Sequence, residues 1–591
     1  MRRSRHLVAS IVLALTVGAL LRGLWLTADP PTTGTVGIVW HDEGAWVHNA
    51  RNKALWGTWR TDAWNPLFIA PVFTCFEYIA FRELGVGTWQ ARTVPLASGL
   101  FAIAALAAGL AATGGRRSPL IGALLLATNY VFVMWNRAAL MESTMTAFMV
   151  GAWGAYALAH SRGSAWGLVA GTMATLAWFS KAAAAFFVAA IVLDALVTLT
   201  LAGTAWIRTR LAIEAPSRDT VRAATATLLG VGLSAAVICV MFVLPHWNEY
   251  RFYNWQMSVT RKPSYALSAL VDRASWLPLV HDSFTRMWMV LVAAALASLA
   301  LVARWRVATP PQRLLVLWLL LGLLELIVHD AGNERRYVMF VPVLIALASV
   351  IIGSASVLTA ANHRGRQWLL LPLAALLTYL VVGSLLRVVF LADIKAGQLQ
   401  QTVRLSAVIS LVIAAIVVTR LGVILRWLSQ QRESATGIAL LTGLAVAGDL
   451  AQYAQWARDR TDHNYRASRM IGRLLPDGTL VHGKLATGLA LENRIRPIFV
   501  GRGFGNYADR TTRDDVRYVL TYVAPYVGYE GRVIQDILNA YPRRTIVATF
   551  TVSETAAGHD RAALIDKFGV PGPRPAQVEP LQRSPGDRGT P

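Results

Sequence analysis

Two carboxylates stand side by side in His41-Asp42-Glu43-Gly44, a few residues past the first long apolar run. Acids at the edge of a bilayer are costly unless they bind or react with something. Asp42 is therefore expected as a base that takes a proton from an acceptor hydroxyl, with Glu43 in the same acidic centre. The competing account has Asp42 capping a helix that starts near Gly44 while Glu43 faces water. A cap can also be a base.

Four other places hold residues suited to the same chemistry. Glu142 lies in the short turn Arg137-Ala-Ala-Leu-Met-Glu142 between two apolar spans. It is either an acid favoured by the start of the next helix, or a second acid facing Asp42 that orients an acceptor or shares a divalent metal. Lys181 ends an apolar span in Trp178-Phe-Ser-Lys181. A snorkelling lysine is one reading; a cation that holds a lipid phosphate is the other. Arg335 and Arg336 sit in Asn333-Glu-Arg-Arg-Tyr337, where they either pair with Glu334 or Asp330 or clamp a phosphate. The stretch from Pro245 to Asp282 interleaves aromatics and cations, as a sugar-stacking surface or an interfacial belt would. His246 there is the candidate metal ligand beside Glu142, and His329-Asp330 is a weaker pair. Glu325, inside an apolar span, must be paired or protonated. Gly501-Arg-Gly-Phe-Gly505 lacks the full dinucleotide-binding pattern.

The elements that must position these residues are membrane helices. Of 591 residues 55% are hydrophobic and 15% charged, too apolar for a water-soluble surface. The net charge of +23 would suit nucleic acid, but the arginines fall mostly in short loops between apolar runs. The positive-inside rule accounts for them better. Cys75 and Cys239 have no near partner, so neither a disulfide framework nor a cysteine metal site is supported.

The basic start Met1 to His6 precedes a run at about 7–27, read as a retained signal anchor with a cytoplasmic N-terminus. Further spans are expected near 92–112, 119–136, 143–160, 165–180, 183–204, 223–244, 284–303, 313–329, 337–358, 367–391, 404–425 and 436–453, thirteen in all. The piece 66–84 is half apolar but carries Pro71, Glu77, Arg82 and Glu83, and is read as interfacial helix. On this count seventeen arginines lie on the cytoplasmic side against three acids, Glu214, Asp219 and Glu433. The expected organisation is a transmembrane domain over 1–455, with outer loops at 28–91 and 245–283. An extracytoplasmic α/β domain follows over 456–570, then a disordered tail over 571–591. Strands are expected at 479–482, 497–500, 517–523 and 545–552, with helices at 483–492 and 530–540.

In order, an acidic pair follows span one, then an interfacial proline-bearing stretch, Arg92 opening the next span and an acid after span three. A lysine ends span five, and Arg-Tyr precedes a later span. This layout, over about residues 1–360, resembles the GT-C type membrane glycosyltransferases. Within them it is most similar to the protein O-mannosyltransferase and lipid A aminoarabinose transferase clan. The resemblance implies a GT-C helical fold and a polyprenyl-phosphate sugar donor. Asp42 would be the base or acceptor-orienting acid, and Glu142 stands where the family usually has Asp. Lys181, Arg335, Arg336 and Arg92 would hold the donor phosphate. The family's Pro-Pro pair is Asn65-Pro66 here.

The expected activity is inverting transfer of a sugar to an acceptor hydroxyl of a protein, lipid or glycan, at the extracytoplasmic face of the cell membrane. No cofactor is required beyond a candidate divalent cation, and no nucleic acid partner is expected. A lipid or glycan transporter is the alternative. It would show symmetric halves and charges at the membrane midplane. No repeat is visible, and the charges gather towards one face. An inactive scaffold carrying the C-terminal domain is a third reading.

Overall fold

The computed structural model describes residues 2–569 except 33–35, 114, 116, 212, 262–265, 273–274, 277–281, 330–333, 354–369, 390–398, 432–434, 501–508, 525–536, 538 and 555–559. The chain is a mostly helical, multi-pass membrane protein with a small C-terminal sheet. Among the described residues six helices are long and apolar enough to cross a membrane. A helix lies over each expected span, from Arg2–Gly23 to Ala435–Asp459.

Small residues let the spans meet closely. A Cβ on Gly171 would stand 2.7 Å from the Gly230 carbonyl carbon, and one on Gly167 equally near the Ala223 carbonyl oxygen. Gly167 and Gly171 thus form a four-residue small-residue spacing that brings two backbones together, as in lipid-embedded helix pairs. The stretch expected at the interface is a short 3-10 turn, Pro66–Phe68, and the helix Pro71–Leu84. Fourteen residues span about 21 Å, short of a hydrocarbon core of about 30 Å. Proline at its first turn lacks only an amide that would be unsatisfied there anyway.

Arginines tie the frayed end of the first helix to the site. Arg137 donates to the carbonyls of Leu21, Arg22 and Leu24 at 3.1, 2.8 and 2.6 Å, and to Trp25 at 2.6 Å. The Leu21 and Arg22 carbonyls are among those that a helix end leaves without partners. Arg92 does the same for Leu26 and Ala28, at 2.7 and 2.6 Å.

The C-terminal sheet has five strands: β1 Leu480–His482, β2 Arg496–Ile498, β3 Tyr518–Ala524, β4 Thr545–Thr551 and β5 Arg561–Asp566. Their order is β2-β1-β3-β5-β4. β1 pairs parallel with β2 and β3, and β5 pairs antiparallel with both β3 and β4. Four strands stand where the sequence places them, and β5 is additional. The helix Ala435–Asp459 runs past the boundary expected at 455. The helix expected at 483–492 is only Lys484–Gly488. Most of 530–540, the glycine run 501–505 and the tail 571–591 lie outside the described residues.

Candidate active site

The acidic motif begins a short helix, Asp42–Trp46, just beyond the end of the first span. His41 holds the cap position and no side chain caps the helix, so Asp42 is not held by a capping role. Its two neighbours diverge. Glu43 is buried and takes both prongs of the Arg92 guanidinium, at 2.8 and 2.6 Å, and the Ala139 amide at 2.7 Å. Asp42 keeps 13% of its side chain exposed and pairs with Arg335. His41 faces Asp42 with Nε2, 3.4 Å from Oδ1.

Behind His41 stands the C-terminal domain. His41 Nδ1 lies 3.2 Å from Glu554 Oε2, and the Tyr522 hydroxyl donates to the same oxygen at 3.1 Å. Glu554 and Tyr522 are buried. Tyr522 is on β3 and Glu554 follows β4, and these two strands run the same way because each is antiparallel to β5. Both residues therefore lie towards the carboxyl ends of their strands, the end of the sheet that meets the acidic motif. Burial, then Glu554, pushes the Tyr522 hydroxyl well above its usual range, so it stays a donor. Burial pulls the Arg335 guanidinium down to about 10, opposed by nearby Glu554, and it is charged at neutral pH.

The other expected residues also fall into pairs. Glu142, in the first turn of the helix Met141–Arg162, is fully buried and accepts from Lys181 Nζ at 2.5 Å. Lys181 is 8% exposed and extended, closing the helix Ala165–Ser180, so it is not a snorkelling side chain. Arg336 pairs with Glu325, the half-buried acid of the span Pro310–His329. The Ala139 amide on Glu43 joins the turn before Glu142 to the acidic motif. His246 lies elsewhere, exposed and against the Phe68 and Phe242 rings at 5.6 and 5.9 Å. Among the described residues no group of three or more His, Cys, Asp or Glu could hold a metal ion. Glu142 and His246 do not assemble one, and no step is routed through a metal.

Sequence reasoning passed over three residues. Glu77 was read only as a mark of an interfacial helix, yet it is fully buried and neither carboxylate oxygen has a hydrogen-bond partner. Burial first, and then nearby Glu43, raises it well above the usual carboxylate range, so it is a neutral acid beside the Glu43–Arg92 pair. Tyr522 and Glu554 stand far along the chain. Their one signal is position: both lie at or beyond the carboxyl ends of predicted strands, where open α/β sheets gather function.

Residues 69–215 match the family described as dolichyl-phosphate-mannose-protein mannosyltransferase. No curated protein matches the chain. Among solved structures the fold is shared with ArnT from Cupriavidus metallidurans in the apo state, at 15% identity and a TM-score of 0.52. That match covers 96% of this chain and 99% of that one. ArnT from the same organism bound to undecaprenyl phosphate aligns with a TM-score of 0.50 and 16% identity over the same shares. Over nearly its whole length the chain thus shares the GT-C fold of these membrane proteins, and over residues 69–215 it is similar in sequence to the mannosyltransferase family.

Proposed function

We propose that the chain moves a sugar from a polyprenyl-phosphate donor to an acceptor hydroxyl at the extracytoplasmic face of the membrane, with inversion. The observation that carries this reading is the Asp42–Arg335 contact: a partly open carboxylate and a phosphate-seeking guanidinium meet at one end of the helical bundle. The ArnT structure with undecaprenyl phosphate supports the donor class, since that protein shares the fold.

Asp42 takes the proton of the acceptor hydroxyl as its oxygen attacks the anomeric carbon. The new C–O bond forms on the face opposite the breaking bond to phosphate, whose electrons leave with the phosphate oxygen. Arg335 stabilises that developing anion, exchanging one carboxylate fork for a phosphate. Lys181 and Arg336 are the further donor-phosphate candidates, each now holding an acid, Glu142 and Glu325. Glu43 and Arg92 act as positioning residues that lock the helix carrying Asp42. His41, held by Glu554 and Tyr522, orients Asp42 from behind, which gives the C-terminal domain a part in the site.

The test is incubation of the purified full chain with a labelled polyprenyl-phosphate sugar and an extract of envelope acceptors. Release of polyprenyl phosphate with label in an acceptor is the expected result. Asp42→Asn should reduce it by about 10²–10⁴-fold, the usual worth of a general base, with expression unchanged. Full activity in that variant removes Asp42 from the role. Movement of the intact donor across vesicles without cleavage would instead make the chain a transporter.

A further inference from the structure

A cavity of about 420 Å³, without Asp42 in its lining, lies between Thr27 just past the first helix, the helix His463–Leu474 and strand β4. That volume is in the range of small-ligand sites. Arg466, Arg469 and Arg473 line it, one or two helical turns apart on one helix, with Asp462 as the lone lining carboxylate. None of the three guanidiniums has a carboxylate partner among the described residues; Arg469 only lies over the Tyr465 ring, at 5.8 Å. Other arginines nearby do pair: Arg458 with Asp459 at 3.1 Å, Arg513 with Asp515 at 2.8 Å, and Arg517 with Asp566 at 2.6 Å. Three such guanidiniums thus gather around one hollow with a single carboxylate in its lining.

Its depth is marked by tryptophans. Trp25 is 43% exposed with Arg460 stacked over it at 4.2 Å, and the Trp456 indole donates to the Asp29 carbonyl at 3.3 Å. Indoles at a helix end belong to the headgroup layer of a bilayer. The anion present at that depth is phosphate, and arginine forks match its oxygens.

We propose that this cavity binds an anionic phosphate headgroup. The guanidiniums take the phosphate oxygens, and the Tyr465 and Phe550 rings and the Thr551 side chain line the space for the rest of the headgroup. The site is independent of the catalytic reading above.

Native mass spectrometry of the detergent-solubilised full chain, titrated with phosphatidylglycerol and separately with phosphatidylcholine, measures it. Saturable binding of the anionic lipid is expected, weakened about 10- to 100-fold in R466Q/R469Q/R473Q. R494Q/R543Q/R561Q removes the same charge elsewhere on the domain and should bind as the parent does. Thermal unfolding in the same detergent identifies folded variants, and the three single substitutions give a graded series if the triple variant does not fold. Excess glycerol phosphate is the second arm: displacement of the lipid assigns the site to soluble phosphate esters, and no displacement to membrane lipid, both supporting the headgroup site. Unchanged binding in the triple or graded variants, equal loss in the control, or equal affinity for phosphatidylcholine overturns it.

Discussion

Acidic side chains near the site look alike in sequence and differ in what surrounds them. Asp42 is the partly open one, Glu43 and Glu142 are buried and paired, and Glu77 is buried and neutral. Glu77→Gln replaces a neutral acid by a neutral amide of the same shape, so activity and stability should stay within about 1 kcal/mol of the parent. A large loss of transfer in that variant would mean that Glu77 works as an ion. Lys181→Met leaves Glu142 charged and alone, which should destabilise the protein by about 3–5 kcal/mol. Adding Glu142→Gln should recover most of that in denaturant or thermal unfolding. If the recovered double variant is still inactive, Lys181 has a role in donor binding besides its ion pair; if it is active, Lys181 is structural. Glu554→Gln should lower kcat and move the acid limb of the pH profile, because Glu554 holds His41 against Asp42 and lies near Arg335. The sequence marks Asp42, Glu142 and Lys181 through their places beside apolar runs. Glu77 escapes because a 14-residue helix with its own arginine and second glutamate reads as surface.

At the scale of elements, what matters is how the short helix Asp42–Trp46 seats against the helix Lys484–Gly488. A Cβ on Gly44 would come within 2.9 Å of the Gly488 Cα, and one on Gly488 within 2.9 Å of the His41 Cα. Both obstacles are backbone and cannot swing away. Gly44→Ala and Gly488→Ala should each destabilise the contact by about 1–3 kcal/mol and move His41 off Glu554. Faster proteolysis near residue 460, with transfer reduced, is the expected readout; unaltered proteolysis would show that the two helices do not depend on each other. Arg51 reinforces the seat from the next helix, donating to the carbonyls of Ala490, Asn493 and Ile495 at 3.1, 2.9 and 3.0 Å. The strands of the C-terminal domain are legible from their alternation. Their docking is not, because it depends on glycines and carbonyls whose partners lie more than four hundred residues away.

For the molecule as a whole, Asp29 ties the end of the first helix to the segment that leads into the C-terminal sheet. Its carboxylate accepts from the Thr461 hydroxyl and the His463 amide at 2.7 Å each, and from the Asn464 amide at 3.2 Å. Burial outweighs these donors and pushes it from 3.8 up to about 7. The unfolded side chain gives up its proton near the lower value and the folded one near the higher, so stability falls as pH rises through that window. Thermal unfolding of the full chain should therefore show a midpoint that drops from about pH 5 to about pH 7, and Asp29→Asn should flatten that slope. An unchanged slope would assign the dependence to another group. The sequence alone determined the membrane class, the order of helices and the family resemblance, because apolar runs and their flanking charges are local properties of the chain. Only the tertiary structure decided which acid stays open, which cations are held in ion pairs, and that Tyr522 and Glu554 reach His41. Those outcomes depend on burial and on partners brought together from distant segments, and no spacing along the chain encodes them.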